Sequence, residues 1–201
     1  VRRPTGGRAL LHNHEVTYSF AAPIPHPKFP SSLLGAYRVV AGALLEGLKE
    51  MGVNDAALAS GRKVNKGRGF FHSPSCLSSV NHLEIEVQGA KLVGSAQRRK
   101  KRAFLQHGSM LLDCDRPLLN SLFKYESDDF RFRSMDILNN KVITLSECLG
   151  KDVTRENILD ALKKGFSRVL LGRWVPGCLN SFELVRCTPS SYSTRDVTTL
   201  R

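Results

Sequence analysis

Acidic residues are scarce in this 201-residue chain: 18 Asp and Glu stand against 30 Lys and Arg, a formal net charge of +12. Such a field disfavours basic partners and draws in acidic ones, a class that takes in nucleic acid, anionic membrane surfaces and acidic carrier proteins. No apolar run approaches the roughly 18 to 20 residues that span a bilayer, and no signal-peptide pattern opens the chain. The five cysteines, Cys76, Cys114, Cys148, Cys178 and Cys187, are odd in number and scattered, with neither a CxxC pair nor a zinc-like quartet. A disulfide framework is not expected of them, and a reducing, cytoplasmic setting fits. Internal repeats are absent. An initiator Met is lacking too: "VRRPTGGRALL" opens inside what reads as a strand and a Gly turn, so the natural N-terminus is expected to lie outside this sequence.

What remains is ordinary for one compact unit, with 41% hydrophobic and 24% charged residues. Two short apolar runs flank a His-Asn-His turn in residues 8–20, and Val16, Tyr18 and Phe20 alternate in the second, which predicts a hairpin. Pro23, Pro25, Pro27 and Pro30 make a loop of the segment that follows. Ser31 or Ser32 then caps a helix to about Met51, with Leu33, Leu34, Tyr37, Val40, Ala41, Leu44, Leu45 and Leu48 at helical spacing and Gly52 ending it. A basic, glycine-rich loop over 60–69 leads to a short strand at 70–72. The alternation of Leu83, Ile85 and Val87 up to Gly89, a return strand over 91–97 and a third over 103–112 predict an antiparallel meander with tight turns at Gly89 and near Lys100. Short helices are expected over 115–123 and 144–149. Thr154 caps an amphipathic helix with Ile158, Leu159, Leu162, Phe166, Val169 and Leu170 on one face. Beyond Trp174 the pattern fades into a Ser/Thr-rich tail.

Several stretches could carry chemistry, each beside a plainer reading. "PTGGR" at 4–8 could bring backbone N–H groups close to a carbonyl or phosphate, or simply turn a hairpin. "QRRKKR" at 97–102 suits a nucleic-acid patch, but no aromatic residues interleave its charges for base stacking. A solvated turn is favoured, and nucleic acid is not the expected partner. His107, just before a glycine in a strand, reads first as structural. His12 and His14 have no third ligand at a suitable spacing, so no metal is assigned. Cys76 differs from a core cysteine: it lies in a Pro/Ser-rich loop, where a thiol near cations can ionise and attack. Lys91, fifteen positions on, opens the return strand of the hairpin turned at Gly89, which could carry its ammonium back toward that loop. Residue types alone leave open whether Cys76 is a nucleophile.

"RRPTGGRALLHNHEVTYSF" and "GAKLVGSAQRRKKRAFLQHGSMLLD" together resemble the lipoate/octanoate protein ligase and transferase family, which has the biotin protein ligase fold. The similarity thins but extends to about Gly172. Its ATP-dependent ligases carry the lysine of the "K-x-x-G-S-A" block without a cysteine. Its LipM-type octanoyltransferases place a catalytic cysteine eighteen residues before the glycine of "GSAQ". That glycine is Gly94 here, so Cys76 falls on the nucleophile position and Lys91 on the family lysine; Gln97 in place of the ligases' tyrosine also matches the transferase branch. Two departures are Leu77 and Ser78, where Phe and an acidic residue usually follow the cysteine, and the end of the chain, which does not look like the family's usual C-terminal helix.

The resemblance implies an α+β fold, an antiparallel or mixed sheet with flanking helices, related to biotin protein ligases and class II synthetases. It implies a catalytic domain over 1–172 followed by a tail over 173–201. The implied activity is octanoyl transfer from octanoyl-acyl carrier protein, through a Cys76 thioester, to the lysine of a lipoyl-domain protein such as the glycine cleavage H protein or a 2-oxoacid dehydrogenase E2. No cofactor, metal or membrane takes part. Lys91 would stabilise the oxyanion, and Arg3, Gly6, Gly7, Arg8, His12, Gly94, Ser95, Ala96, Gln97, His107 and Gly108 would bind substrate. Leu10, Val16, Phe20 and Leu105 are candidates for an apolar tunnel, and Arg62, Lys63, Lys66 and Arg68 with residues 98–102 for a basic rim that attracts acidic carrier domains. The alternatives are an ATP-dependent lipoate ligase, an amidotransferase that takes octanoate from the H protein, and a basic nucleic-acid-binding module.

Overall fold

The computed structural model describes residue 5 and residues 10–59, 83–178 and 180–181. The alternating stretch Glu15–Pro23 forms strand β1. Its partner is not the segment before it, as the expected hairpin required, but the distant strand β5 (Ala103–Leu111), antiparallel, with Tyr18 opposite Gly108 and Pro23 opposite Ala103. His14, at a φ of 46°, leads the chain in, and its carbonyl accepts from the Leu112 and Asp113 N–H groups. The strand continues to Pro23, past the expected start of the proline loop, because β1 stands at the edge of the sheet among the described residues and an edge tolerates a missing N–H.

Ser32 caps helix α1 (Leu33–Glu50), its Oγ accepting from the Gly35 N–H at 3.0 Å. After a short strand not foreseen in the sequence, β2 (Ala56–Leu58), come β3 (Ile85–Val87) and β4 (Ala90–Arg99). They are joined through Gln88 and Gly89, whose φ values of 52° and 81° suit a tight hairpin turn. A second tight turn joins β4 to β5, with the Lys100 N–H donating to the Ala103 carbonyl at 2.8 Å; "QRRKKR" is thus a strand end and a turn. The sheet runs β1-β5-β4-β3-β2 with every strand pair antiparallel.

Four more helices follow: α2 (Arg116–Ser121), α3 (Asp128–Lys141), α4 (Leu145–Leu149) and α5 (Arg155–Leu170). Asp115, Thr144 and Thr154 cap α2, α4 and α5, the last as the sequence suggested, and Thr144 does so in a capping box with Glu147. Helix α3 carries no readable period, since it buries only Ser134 and Leu138. Helices α1 and α5 cover one face of the sheet. Leu44, Leu48, Ile158 and Leu162 pack there on Val16, Ile85, Val93 and Met110, and Phe20, Phe29, Phe104 and Phe166 form an aromatic cluster beside them. Each such side chain contributes on the order of 1.5–3 kcal/mol. Leu159, expected inside, is 40% exposed. No helix among the described residues is long and apolar enough to cross a membrane. The expected loop at 60–69, the strand at 70–72, Cys76 and most of the tail lie outside the described residues.

Candidate active site

Strand pairing decides which side chains share a face, because directly opposed residues point the same way and neighbours along a strand point opposite ways. Ser109 on β5 lies between Thr17 on β1 and Gly94 on β4, and His107 lies between Ser19 and Ala96. These two rows belong to the face opposite α1 and α5.

Lys91 joins that face through a local irregularity. Ile85 pairs with Val93 but Glu86 with Lys91, and the additional residue on β4, Leu92, turns the lysine onto the face of Gly94. A methyl at Gly94 would stand 2.8 Å from Lys91 Cε and 3.1 Å from Nζ, so the glycine leaves the room that the ammonium occupies. Lys91 is 1% exposed, and its Nζ donates to Glu84 Oε1 at 2.7 Å, an ion pair buried on both sides. Its carbonyl accepts from the Ile143 N–H at 3.0 Å. Arg116 holds the same segment, donating from Nη2 to the Val142 carbonyl at 2.9 Å and lying 2.8 Å from the Glu147 carboxylate. The lysine is therefore fixed at both its backbone and its head.

A second polar cluster occupies the same face at β1. Glu15 Oε1 accepts from Ser109 Oγ at 2.9 Å and Thr17 Oγ1 at 2.6 Å, and His12 Nδ1 lies 2.5 Å from it. His107 Nε2 is 2.8 Å from Thr5 Oγ1, which ties Thr5 to this face.

Of the residues singled out in the sequence, Lys91, Gly94, Ala96, His107 and, through Glu15, His12 are brought to one face. Ser95, Gln97 and Gly108 are not: they belong to the rows beneath α1 and α5. There Tyr18 Oη donates to Ser95 Oγ at 2.7 Å, Gln106 Nε2 to Tyr18 Oη at 3.3 Å, Gln97 Nε2 to Gln106 Oε1 at 3.1 Å, and Tyr37 Oη to the Ser95 carbonyl at 3.3 Å. Burial pushes both tyrosines' pKa values up, so they stay neutral donors. Gly108 permits close strand contact, since a methyl there would come within 2.2 Å of the Gly94 carbonyl oxygen. Val16 and Phe20 likewise belong to the helix-side core rather than to a tunnel beside Lys91, and Leu10 packs against a cluster of Leu111, Leu119 and Leu138. Cys76, Arg3, Gly6, Gly7 and Arg8 fall outside the described residues, as do Arg62, Lys63, Lys66 and Arg68. Burial raises the thiol pKa of Cys114 and of Cys148, which keeps both protonated and unreactive.

Sequence reasoning missed Glu84 and Glu15. The alternation of Val16, Tyr18 and Phe20 already puts Glu15 on the opposite face. The Glu84 pairing depends on the irregular register of β3 and β4, which leaves no trace in residue order.

The model of the lipoyl protein ligase A/B catalytic domain matches residues 1–167. An octanoyltransferase, LipM, of Kyrpidia tusciae is 40% identical over 186 residues, covering 91% of this chain and 67% of its own length. Among solved structures, a bi-partite lipoate protein ligase from Thermoplasma acidophilum superposes with a TM-score of 0.70 at 20% identity, over 92% of this chain and 62% of that one. A biotin protein ligase from Aquifex aeolicus, in complex with biotin and ATP, does so with a TM-score of 0.52 at 19% identity, over 85% and 56%. The fold is thus that of lipoate and biotin protein ligases, and the chain spans about two thirds of the length of the curated relative.

Proposed function

Because the chain belongs to the lipoyl protein ligase A/B catalytic-domain family, we propose that it moves an octanoyl group from octanoyl-acyl carrier protein to the lysine of a lipoyl domain, by way of a thioester on Cys76. The observation that carries this reading is the buried Lys91 ammonium, held by Glu84 against the bare Cα of Gly94.

The Cys76 thiolate attacks the carbonyl carbon of the octanoyl thioester, and the carrier's thiol leaves. The Lys91 ammonium donates a hydrogen bond to the oxyanion of the tetrahedral intermediate and, as a cation, favours the thiolate. Its burial serves this role, because a charge in a water-excluded place acts on a nearby oxyanion far more strongly than one in bulk water. In the second step the acceptor lysine's amine attacks the Cys76 thioester, and the stability of the amide draws the sequence forward. The basic turn at 98–102 offers attraction to acidic carrier and lipoyl domains. A free thiolate nucleophile calls for a reducing compartment, the cytoplasm.

Intact-mass measurement after mixing with octanoyl-acyl carrier protein tests the reading. One added octanoyl group, labile to hydroxylamine and absent from Cys76→Ala, is the expected result. Release of AMP from lipoate and ATP, with no such adduct, overturns it in favour of a ligase.

A further inference from the structure

Among the described residues, Glu15 on the Lys91 face has a buried carboxylate oxygen left over. Its side chain is 5% exposed, and Oε1 takes the hydroxyls of Ser109 and Thr17 and the contact to His12. The other oxygen, Oε2, is buried and has no hydrogen-bond partner among the described residues. Buried acceptors are nearly always satisfied, and one left open beside a reactive group points to a ligand that brings its own donor. The two hydroxyl donors and the His12 contact on Oε1 fix the carboxylate's orientation, so Oε2 is held in place rather than free to turn.

Its location matches what the second half-reaction lacks. Glu15 bonds to Ser109 on β5, Ser109 lies opposite Gly94 on β4, and Lys91 Nζ packs against Gly94. Glu15 and Lys91 therefore stand on one face with a single strand between them, roughly 10 Å apart at the backbone given about 4.8 Å per strand. Buried Leu111 fills the row directly between their backbones, but both heads reach along to the next row, Glu15 to Ser109 and Lys91 to Gly94. Over that row a hydrogen bond of about 2.8 Å from Lys91 to a carbonyl oxygen, the carbonyl bond, an attack distance of about 3 Å and a second hydrogen bond of about 2.8 Å span a separation of that order.

On the strength of that transfer chemistry, we infer that Glu15 is the general base of the aminolysis step, receiving the acceptor lysine's ammonium at Oε2. A lysine amine, with an ordinary pKa near 10.4, arrives protonated at neutral pH and cannot attack in that form. Oε2 accepts one ammonium proton, and the freed nitrogen lone pair forms the C–N bond to the thioester carbonyl. The C–S bond then breaks, its electron pair leaving on Cys76 Sγ, and the second nitrogen proton neutralises that thiolate. Glu15 then gives its proton to solvent once the amide product has left.

The test separates the two half-reactions in single turnover. Enzyme is charged with octanoyl-acyl carrier protein, and the octanoyl-enzyme is then chased either with an apo lipoyl domain or with hydroxylamine, which is uncharged at neutral pH and needs no base. For Glu15→Gln we expect wild-type charging, wild-type cleavage by hydroxylamine, and transfer to the lipoyl lysine slowed about a hundredfold or more. Unchanged transfer to the lysine overturns the assignment; so does a parallel loss with both nucleophiles, which marks Glu15 as a structural group. Should Glu15→Gln not fold, Glu15→Asp is read in the same way, with a smaller but lysine-specific loss expected and an equal loss with hydroxylamine counting against. A wild-type chain that forms no octanoyl adduct at all strikes the transfer chemistry itself, a result distinct from any of these.

Discussion

On the helix-covered face of the sheet the neutral side chains of Tyr18, Tyr37, Ser95, Gln97 and Gln106 join in one hydrogen-bonded network under α1 and α5. On the opposite face ionisable side chains gather: Lys91 with Glu84, Glu15 with His12, and His107 with Thr5. Neutral hydrogen bonds can be buried at little net cost when both partners are satisfied, whereas a buried ion pair seldom repays its desolvation against an apolar pair of the same size. Nothing in folding alone favours setting Lys91 where it is 1% exposed. The alternation of a β-strand lets consecutive residues serve both faces, so that "GSAQ" places Gly94 and Ala96 toward the Lys91 side and Ser95 and Gln97 toward the helices.

The largest effect that separates the faces is expected at Lys91. Lys91→Ala should slow formation of the octanoyl-enzyme a hundredfold or more, about 3 kcal/mol of transition-state stabilisation. It should also lower stability by several kcal/mol, on the order of 3–5, because Glu84 stays buried without its cation. Combining Lys91→Met with Glu84→Gln removes both charges. That pair should regain most of the stability in a denaturant titration while charging stays as slow as in Lys91→Ala. Recovery of charging in the pair would erase the distinction between the faces.

The two glycines of the paired strands sharpen the comparison. A methyl at Gly108 would lie 2.2 Å from the Gly94 carbonyl oxygen and 2.8 Å from Tyr18 Cε1. Since backbone cannot yield cheaply, Gly108→Ala should cost about 1–3 kcal/mol or more as overpacking, read as a drop in Tm. At Gly94 the obstacle is instead the end of the Lys91 side chain, at 2.8 and 3.1 Å. Gly94→Ala should therefore move the ammonium and slow charging at least tenfold while Tm changes little. Loss of stability at Gly94 with normal charging would show that the glycine serves packing alone.

Much of this was legible in the residues. The capped helices α1 and α5 follow from Ser32 and Thr154 ahead of apolar periods, and the β3–β4–β5 meander from alternation broken at Gly89 and Lys100. That His107 shares a face with Gly94 was within reach of the alternation once the strands and the turn between them were granted. Three things were not. Residues 8–20 looked like a hairpin because local alternation does not say where a strand's partner lies, and β1 pairs with β5, about ninety positions away. Helix α3 was invisible because it buries only Ser134 and Leu138, while its other apolar residues, Phe130, Phe132, Met135 and Ile137, are spread around it and half-buried or exposed. Ser95, Gln97 and Gly108 were grouped with the site because motif neighbours are adjacent in the chain, while a strand sends adjacent side chains to opposite sides.

The smallest effect belongs to the helix side. Tyr18→Phe removes a donor to Ser95 and an acceptor from Gln106, which should cost about 1–2 kcal/mol, one or two net hydrogen bonds, with charging and transfer rates near wild type. The phenols also set a direction with pH. Burial raises the pKa of Tyr18 and of Tyr37 above the ordinary tyrosine value of 10.0. In the folded state they hold protons that the unfolded chain gives up near pH 10, so their contribution is intact below that pH and is lost as pH climbs toward the folded values. Chemical denaturation from pH 9 to 11 should show wild-type stability falling more steeply than that of Tyr18→Phe, so the difference between them narrows as pH rises. A constant difference would mean that the Tyr18 hydroxyl is not held neutral by the fold.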